Sequence, residues 1–154
     1  MRGKGDRPDW ITEDGFLDLM RLPLDPILKK TLHAESESFR DACSVLKSIA
    51  ARGGREAGVI LFGLLAHYRG DLARMVVVID ALGSFASRPT VDVLVGELYR
   101  VPSTNATRGY LNAVLNALTC LPRELWEEKL MDMSHEPRFS PKWRQKFENA
   151  LWTS

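Results

Sequence analysis

The sequence predicts an all-α fold built from antiparallel helix pairs that stack on one another. Long segments with helical hydrophobic spacing are separated by brief turns rich in Gly, Pro, Ser, Thr and Asn. Apolar positions also recur at a fixed interval, since Leu46, Leu82 and Leu118 are 36 residues apart. One helix pair cannot bury its apolar face alone, so successive pairs are expected to share a continuous core.

The composition is that of one ordinary globular domain. The chain has 154 residues, of which 45% are hydrophobic and 27% charged, and its formal net charge is +1. This balance excludes a polybasic tail, an acidic tail or charge-driven disorder as the dominant character. Residues 1–11 are polar and lack periodicity, so they are interpreted as a flexible arm before a single domain over residues 12–154.

Cysteine usage and hydropathy favour a cytoplasmic protein. Cys43 and Cys120 lie far apart in apolar stretches, and both are expected to be reduced core thiols. Residues 1–10 are rich in charge and no apolar segment follows, so no secretory signal is predicted. The longest uncharged apolar run, residues 57–66, is about half of the ~20 residues that a spanning helix needs. No membrane span is predicted.

Helix start and stop signals divide the body of the chain. Asp71, Thr90 and Ser140 are predicted N-caps, and Gly53 or Gly54 is predicted to end a helix in the left-handed conformation. Two short helices, near residues 12–21 and 25–32, come first. The main helices are then expected near residues 37–52, 55–68, 72–86, 90–101, 105–121, 122–133 and 141–152.

One segment favours a strand by propensity. Residues 75–79 form the β-branched run Met-Val-Val-Val-Ile. No other run in the sequence resembles it, and a lone strand would have no partner for its hydrogen bonds. The helical spacing of apolar residues also continues through it. We therefore expect these residues to be helical.

The repeat spacing also predicts the core. The first helix of each pair is expected to supply one layer of buried side chains: Leu46, Ile49, Ile79, Leu82, Phe85, Val114, Leu115 and Leu118. The second helix is expected to supply the other: Leu61, Leu65, Val91, Leu94, Leu98, Trp126, Leu130 and Met133. The segment 56–68 is apolar almost all round, which predicts a helix sandwiched in the middle of the protein.

Two segments carry a resemblance to a known superfamily. Ala73-Arg74 to Ala81-Leu82-Gly83 is followed by Val91-Asp92-Val93-Leu94, and Thr107-Arg108 to Ala117-Leu118 is followed by Leu125-Trp126. This pattern resembles HEAT-like (armadillo-type) helical repeats over roughly residues 36–152. The resemblance implies a right-handed α-solenoid of about three and a half repeats, with residues 12–33 as a cap. It implies a binding scaffold and no particular substrate.

No motif for catalysis or cofactor binding is found. The sequence lacks phosphate-binding Gly-rich loops, zinc-protease spacing and a nucleophile elbow. Ser134-His135-Glu136 lists triad residue types consecutively, which cannot aim three side chains at one atom. The His and Glu residues of segment 33–37 have no further ligand at a metal spacing. We therefore expect no enzyme activity, no cofactor and no bound metal.

The predicted functional residues lie on the second helices, which usually line the concave face in HEAT-like arrays. If Leu94, Leu98, Trp126 and Leu130 point into the stack, another set points outward. The predicted partner-binding residues are Asp92, Tyr99, Arg100, Glu124, Glu128, Met131 and Asp132, with Gly96 beside them. Residues 123–136 have a local charge of −3 and residues 137–154 one of +3. This contrast indicates either an interface or charge matching between adjacent helices.

Two functions remain open. The first is a non-enzymatic module that binds another protein along its groove, with Tyr99, Trp143 and Trp152 as aromatic anchors unless they pack the last repeat. The alternative is a nucleic-acid-binding protein similar to DNA-repair glycosylases with HEAT-like folds. Its support would come from a set of arginines interleaved with acidic residues: Arg52, Arg55, Arg69, Arg74, Arg88, Arg100 and Arg108. Since the chain is nearly neutral, nucleic acid is the less favoured partner.

Overall fold

A computed structural model describes residues 31–32 and 35–153. The expected arm at 1–11, and nearly all of the expected cap at 12–33, lie outside the described residues. The described part contains no strand and seven helices between residues 36 and 152, which confirms an all-α protein. The helices are α1 (Ser36–Ala51), α2 (Arg55–His67), α3 (Leu72–Leu82), α4 (Arg88–Arg100), α5 (Arg108–Cys120), α6 (Arg123–Ser134) and α7 (Pro141–Trp152).

Side-chain caps fix several helix starts. The side chains of Asp71 and Ser140 accept hydrogen bonds from the backbone N–H groups three residues on, at 3.2 and 3.3 Å, as predicted. At α4 the cap is Ser87, whose Oγ accepts from the Thr90 backbone N–H at 3.2 Å. The expectation that Thr90 caps this helix is therefore wrong. The left-handed residue after α1 is Gly53, with φ of 86°.

The β-branched run is helical. Residues 75–79 lie inside α3, where Met75, Val78 and Ile79 are buried. Tertiary packing on both sides compensates for the low helix propensity of the run. Two expected boundaries are wrong by several residues. The turn after Leu82 ends α3 early, and a Thr104–Thr107 hydrogen-bonded turn delays the start of α5 to Arg108.

The helices pack mainly on near neighbours along the chain. Helix α1 packs on α3, α3 packs on α5, and α4 packs on α6. Helix α2 packs on both α1 and α3, whereas α4 and α6 each pack on α5. Helix α7 packs on α6. One continuous cluster of buried apolar side chains runs from Phe39 in α1 to Leu151 in α7.

The predicted core is confirmed with one exception. Every predicted member is buried except Phe85, which is half-buried against Phe62 and close to Gly58. The prediction that α2 is sandwiched is wrong, since Val59 is 66% exposed and Gly63 and Ala66 are also exposed. The apolar side chain of Val59 thus lies on the solvent-facing side of α2. The apolar composition of this helix therefore predicts more burial than the structure shows.

The two cysteines differ in environment. Cys43 is buried in the core, whereas Cys120 is exposed at the end of α5, so the expectation of two core thiols is wrong for Cys120. Burial raises the pKa of the Cys43 thiol to about 11. Of the helices described, none is both long enough and apolar enough to cross a membrane.

Candidate functional site

The outward sides of α4 and α6 form a shared surface. The two helices pack on each other, and Leu94, Leu98 and Leu130, which are at most 4% exposed, belong to the core cluster beneath them. Most of the predicted binding residues are exposed on the other side of these helices. We define the α4–α6 face as Asp92, Glu124, Glu128, Lys129, Met131 and Asp132, all exposed.

One ion pair connects the two helices across this face. Lys129 Nζ lies 2.9 Å from Asp92 Oδ1, and both side chains are about half exposed. Such an exposed pair contributes little to stability. The pair neutralises one acid of the face and leaves three predicted binding residues with negative charge, namely Glu124, Glu128 and Asp132. Met131, which is 41% exposed, lies among these acids in the sequence of α6.

Tyr99 is less exposed than the sequence predicts. Its ring is half-buried, with its centroid 4.9 Å from that of Phe139. The guanidinium of Arg138 lies over the ring at 5.6 Å. Burial, together with the nearby carboxylates Glu136 and Asp132, raises the pKa of the Tyr99 phenol. Tyr99 therefore does not point freely away from the protein but packs against the loop between α6 and α7.

Arg100 is held by a buried carboxylate. Its Nε and Nη2 donate to the two carboxylate oxygens of Glu97, at 3.1 and 2.7 Å. Glu97 is 5% exposed and also accepts a hydrogen bond of 2.6 Å from the Tyr110 hydroxyl. Burial and this hydrogen bond raise the pKa of Tyr110, and the hydrogen bond to Glu97 raises the pKa of Arg100. A buried charge needs such partners, so the first role of Arg100 is structural.

A cleft of about 390 Å³ opens beside Tyr99. It lies between the end of α4, the loop that follows it, and the loop and first turns that begin α7. We call it the aromatic cleft. Its walls are formed by Leu98, Tyr99, Arg100, Val101, Pro102, Ser103, Leu111, Arg138, Phe139, Ser140, Trp143 and Phe147.

The floor of the aromatic cleft is a packed set of rings. The centroid of Phe147 lies 4.9 Å from that of Phe139 and 5.9 Å from that of Trp143. The indole Nε1–H of Trp143 donates to Ser103 Oγ at 2.8 Å, which fixes the loop after α4 against α7. Trp143 is only 6% exposed, so it belongs to the core, which is the second of the two roles that the sequence left open, and it is not a free anchor. Trp152 is 76% exposed.

The charges at the cleft are mainly those of two arginines. None of the described residues that line it carries a carboxylate. Arg100 is already paired with Glu97, whereas Arg138 forms no salt bridge with any residue in the described part of the chain. The guanidinium of Arg138 is thus stacked on Tyr99 and has N–H groups available to an incoming anion.

Sequence reasoning missed Arg138, Phe139 and Lys129 as site residues. A signal for Phe139 was present, because it directly precedes the Ser140 cap of α7, and apolar residues at that position often pack back onto neighbouring structure. Its contact with Tyr99, 40 residues earlier in the chain, depends on the tertiary arrangement and has no sequence signal.

Comparison with known proteins does not identify a relative. No protein-family model matches the sequence, and neither the curated proteins nor the solved structures yield a significant match.

Proposed function

We propose that this chain is a non-enzymatic interaction module, a short HEAT-like solenoid that binds another protein on the α4–α6 face. The order of helix packing supports the solenoid part of the proposal. Helices α1, α3 and α5, the first helices of the proposed pairs, are packed in succession, and the second helix α4 packs on α6. This succession is typical of stacked helix pairs. The last helix, α7, would begin an incomplete fourth pair.

The observation that carries the binding proposal is the division of α4 and α6 into two sides. Their inner sides are buried in the shared core. Their outer sides present an acidic surface with the exposed Met131 in α6, and Tyr99 stands at the end of α4. Aromatic residues and Met are enriched in interfaces, and charges around them steer association. The face therefore fits a protein partner with a basic surface.

The arginine set gives less support to the nucleic-acid alternative. Arg100 is paired with Glu97, and Arg74 lies over the rings of Phe39 and Tyr68 beside Asp71. Arg108 Nη2 also donates to Asn105 Oδ1 at 2.9 Å, so three of the seven arginines are engaged within the protein. A gel shift with duplex DNA at low and moderate salt tests the alternative, since binding through several phosphates would weaken steeply with salt.

The experiment for the protein-binding proposal compares affinity capture from a native lysate by three baits. These are the wild-type chain, the double variant Glu124→Lys/Glu128→Lys, and Glu37→Lys/Asp41→Lys as a control matched in charge. Glu37 and Asp41 are exposed acids on α1, far from the α4–α6 face in the packing order. We expect one protein to be retained by the wild type and the control and lost by the double variant.

Two results would contradict the proposal. One is equal retention of every captured protein by all three baits, and the other is the absence of any retained protein. Circular dichroism of each bait, measured first, ensures that lost retention reflects the surface and not unfolding. Charge reversal on a rim typically slows association in a salt-dependent way, so the loss should be largest at low salt.

A further inference from the structure

We propose that the aromatic cleft binds a short peptide segment of the partner that carries one acidic residue next to an aromatic or aliphatic residue. This inference rests on the proposed function, because it names what part of a protein partner the chain would recognise. It assigns a role to a cavity next to the α4–α6 face. Tyr99, at the end of α4, links the aromatic cleft to the α4–α6 face.

The size and lining of the cleft fit one bulky side chain and its backbone. Its volume of about 390 Å³ falls in the range of roughly 300–1,000 Å³ typical of ligand sites. Tyr99 and Phe139 are both half-buried, so each ring has accessible surface beside the cleft. Rings held at fixed angles by their neighbours provide a preformed apolar surface at little entropic cost.

The charge of the cleft selects an acidic group. The guanidinium of Arg138 is exposed, stacks on Tyr99 and forms no salt bridge in the part of the chain that the structure describes, while the Arg138 backbone N–H donates to Glu136 Oε1 at 3.3 Å. A guanidinium in this position can donate two parallel hydrogen bonds to a carboxylate. The stacking limits the motion of the side chain, so less freedom is lost when the carboxylate binds.

The surroundings limit the number of acids that the peptide can carry. The carboxylates of Asp132 and Glu136 raise the pKa of the Tyr99 phenol, while the cations Arg138 and Lys129 lower it, so all four charges act at this side chain. Lys129 is already paired with Asp92. A segment with several acids would therefore be repelled by Asp132 and Glu136, whereas a single carboxylate can reach Arg138.

A backbone contact is also available. The Ser103 hydroxyl accepts the indole proton of Trp143, so it keeps its own proton to donate to a peptide carbonyl. This arrangement makes the Trp143 indole N–H a reporter, because a new hydrogen bond at Ser103 changes the environment of that proton. Trp126, whose indole donates to the Leu121 carbonyl at 2.9 Å, does not line the cleft and is an internal control.

The test is a titration of the purified full chain, followed by the indole N–H signals in NMR. The probes are two capped tetrapeptides, Ac-Gly-Glu-Phe-Gly-NH₂ and the same peptide with Gln in place of Glu. We expect the Glu peptide to shift the Trp143 signal saturably, with a Kd below about 1 mM, and to leave Trp126 unchanged. The Gln peptide should bind about three- to tenfold more weakly.

Two variants test whether the preference for the Glu peptide depends on the aromatic cleft. Arg138→Gln should remove the preference for Glu over Gln, while Lys142→Gln, which removes an exposed cation of α7 outside the cleft lining, should preserve it. Equal binding of the two peptides by the wild type would overturn the inference. So would a loss of preference in Lys142→Gln, no shift of the Trp143 signal up to about 5 mM peptide, or equally tight binding of inorganic phosphate.

The inference and the proposed function can fail separately. The titration uses the chain alone and depends on Arg138 and the cleft. The capture experiment depends on Glu124 and Glu128, which do not line the cleft. A partner that is lost with the double variant, combined with no peptide binding, would retain the proposed function and reject the peptide site.

Discussion

Adjacent residues at the end of α4 have different roles. Leu98 is 4% exposed and packs in the core, whereas Tyr99 is half-buried between Phe139 and Arg138. Glu97, one residue earlier, is a buried carboxylate held by Arg100 and Tyr110. Three consecutive side chains thus contact the core, the aromatic cleft and a polar network, so small substitutions here separate folding from binding.

The first prediction compares Leu98→Ala with Tyr99→Ala. Loss of the buried leucine should lower the free energy of unfolding by about 2–5 kcal/mol, since it leaves a cavity. Loss of the tyrosine should cost about 1–2 kcal/mol, because the ring gives up one aromatic contact but not a core position. Urea unfolding followed by circular dichroism measures both values. Equal destabilisation by the two substitutions would show that Tyr99 is a core residue.

The second prediction concerns the thiols. In the native protein Cys120 should react rapidly with a thiol-specific reagent and Cys43 slowly, because only Cys120 is exposed and burial holds the Cys43 pKa near 11. The variant Cys120→Ser should then be almost unreactive until it is unfolded in denaturant. Rapid reaction of native Cys120→Ser would contradict the burial of Cys43.

The raised thiol pKa also has a defined sign for stability. The unfolded thiol ionises near its ordinary pKa of 9.0, and the folded one at about 11. Below pH 9 this thiol therefore adds no pH dependence to the free energy of unfolding. As pH rises from 9 to 11, the unfolded state loses the proton first and stability falls. Comparison with Cys43→Ala over this range isolates the contribution.

At the scale of elements, α2 contains two glycines in contrasting positions. Gly58 is buried, and a β-carbon there would overlap the ring of Phe85, whose position is set by the turn after α3. Gly63 lies in the same helix but is exposed, with open space around the site. Helix propensity alone would favour alanine at both positions.

The third prediction follows from this contrast. Gly63→Ala should stabilise the protein by about 0.5–1 kcal/mol, because alanine restricts the unfolded chain and fits the helix. Gly58→Ala should destabilise it, since Phe85 must move out of its contact with α2. Thermal unfolding of the two variants side by side gives the comparison. A stabilising Gly58→Ala would mean that Phe85 does not pack on this helix.

The elements were largely predictable because their signals are local. Ser140-Pro141 and Asp71 start helices as their sequences indicate, and Gly53 ends one with positive φ. The solvent exposure of individual side chains was less predictable. Cys120 is exposed although it was expected in the core, and Trp143 is buried although the sequence also allowed an exposed anchor there. Their exposure depends on how α5 and α7 pack against neighbouring helices. The aromatic cleft was not predictable, because one of its walls is Phe139. This residue lies in a loop and belongs to no helical pattern of apolar spacing.

At the scale of the whole molecule, the packing order decides how a perturbation spreads. Helices α1 and α2 pack substantially on each other and on α3, while α7 packs substantially on α6. In a stacked array each pair interacts mainly with its neighbours, and stability is approximately a sum of local terms. A compact bundle with all helices around one centre would instead share every loss among all of them.

The fourth prediction uses core deletions at the two ends. Phe147 in α7 and Leu46 in α1 are both fully buried. Replacing either one with alanine should therefore lower the free energy of unfolding by about 2–5 kcal/mol. If the chain is a solenoid, Phe147→Ala should accelerate amide hydrogen exchange mainly in α6 and α7, and Leu46→Ala mainly in α1 to α3. Peptide-resolved exchange under native conditions measures this. Acceleration of similar size across the seven described helices in both variants would reject the solenoid arrangement, and would place the α4–α6 face on a bundle whose stability depends on every helix at once.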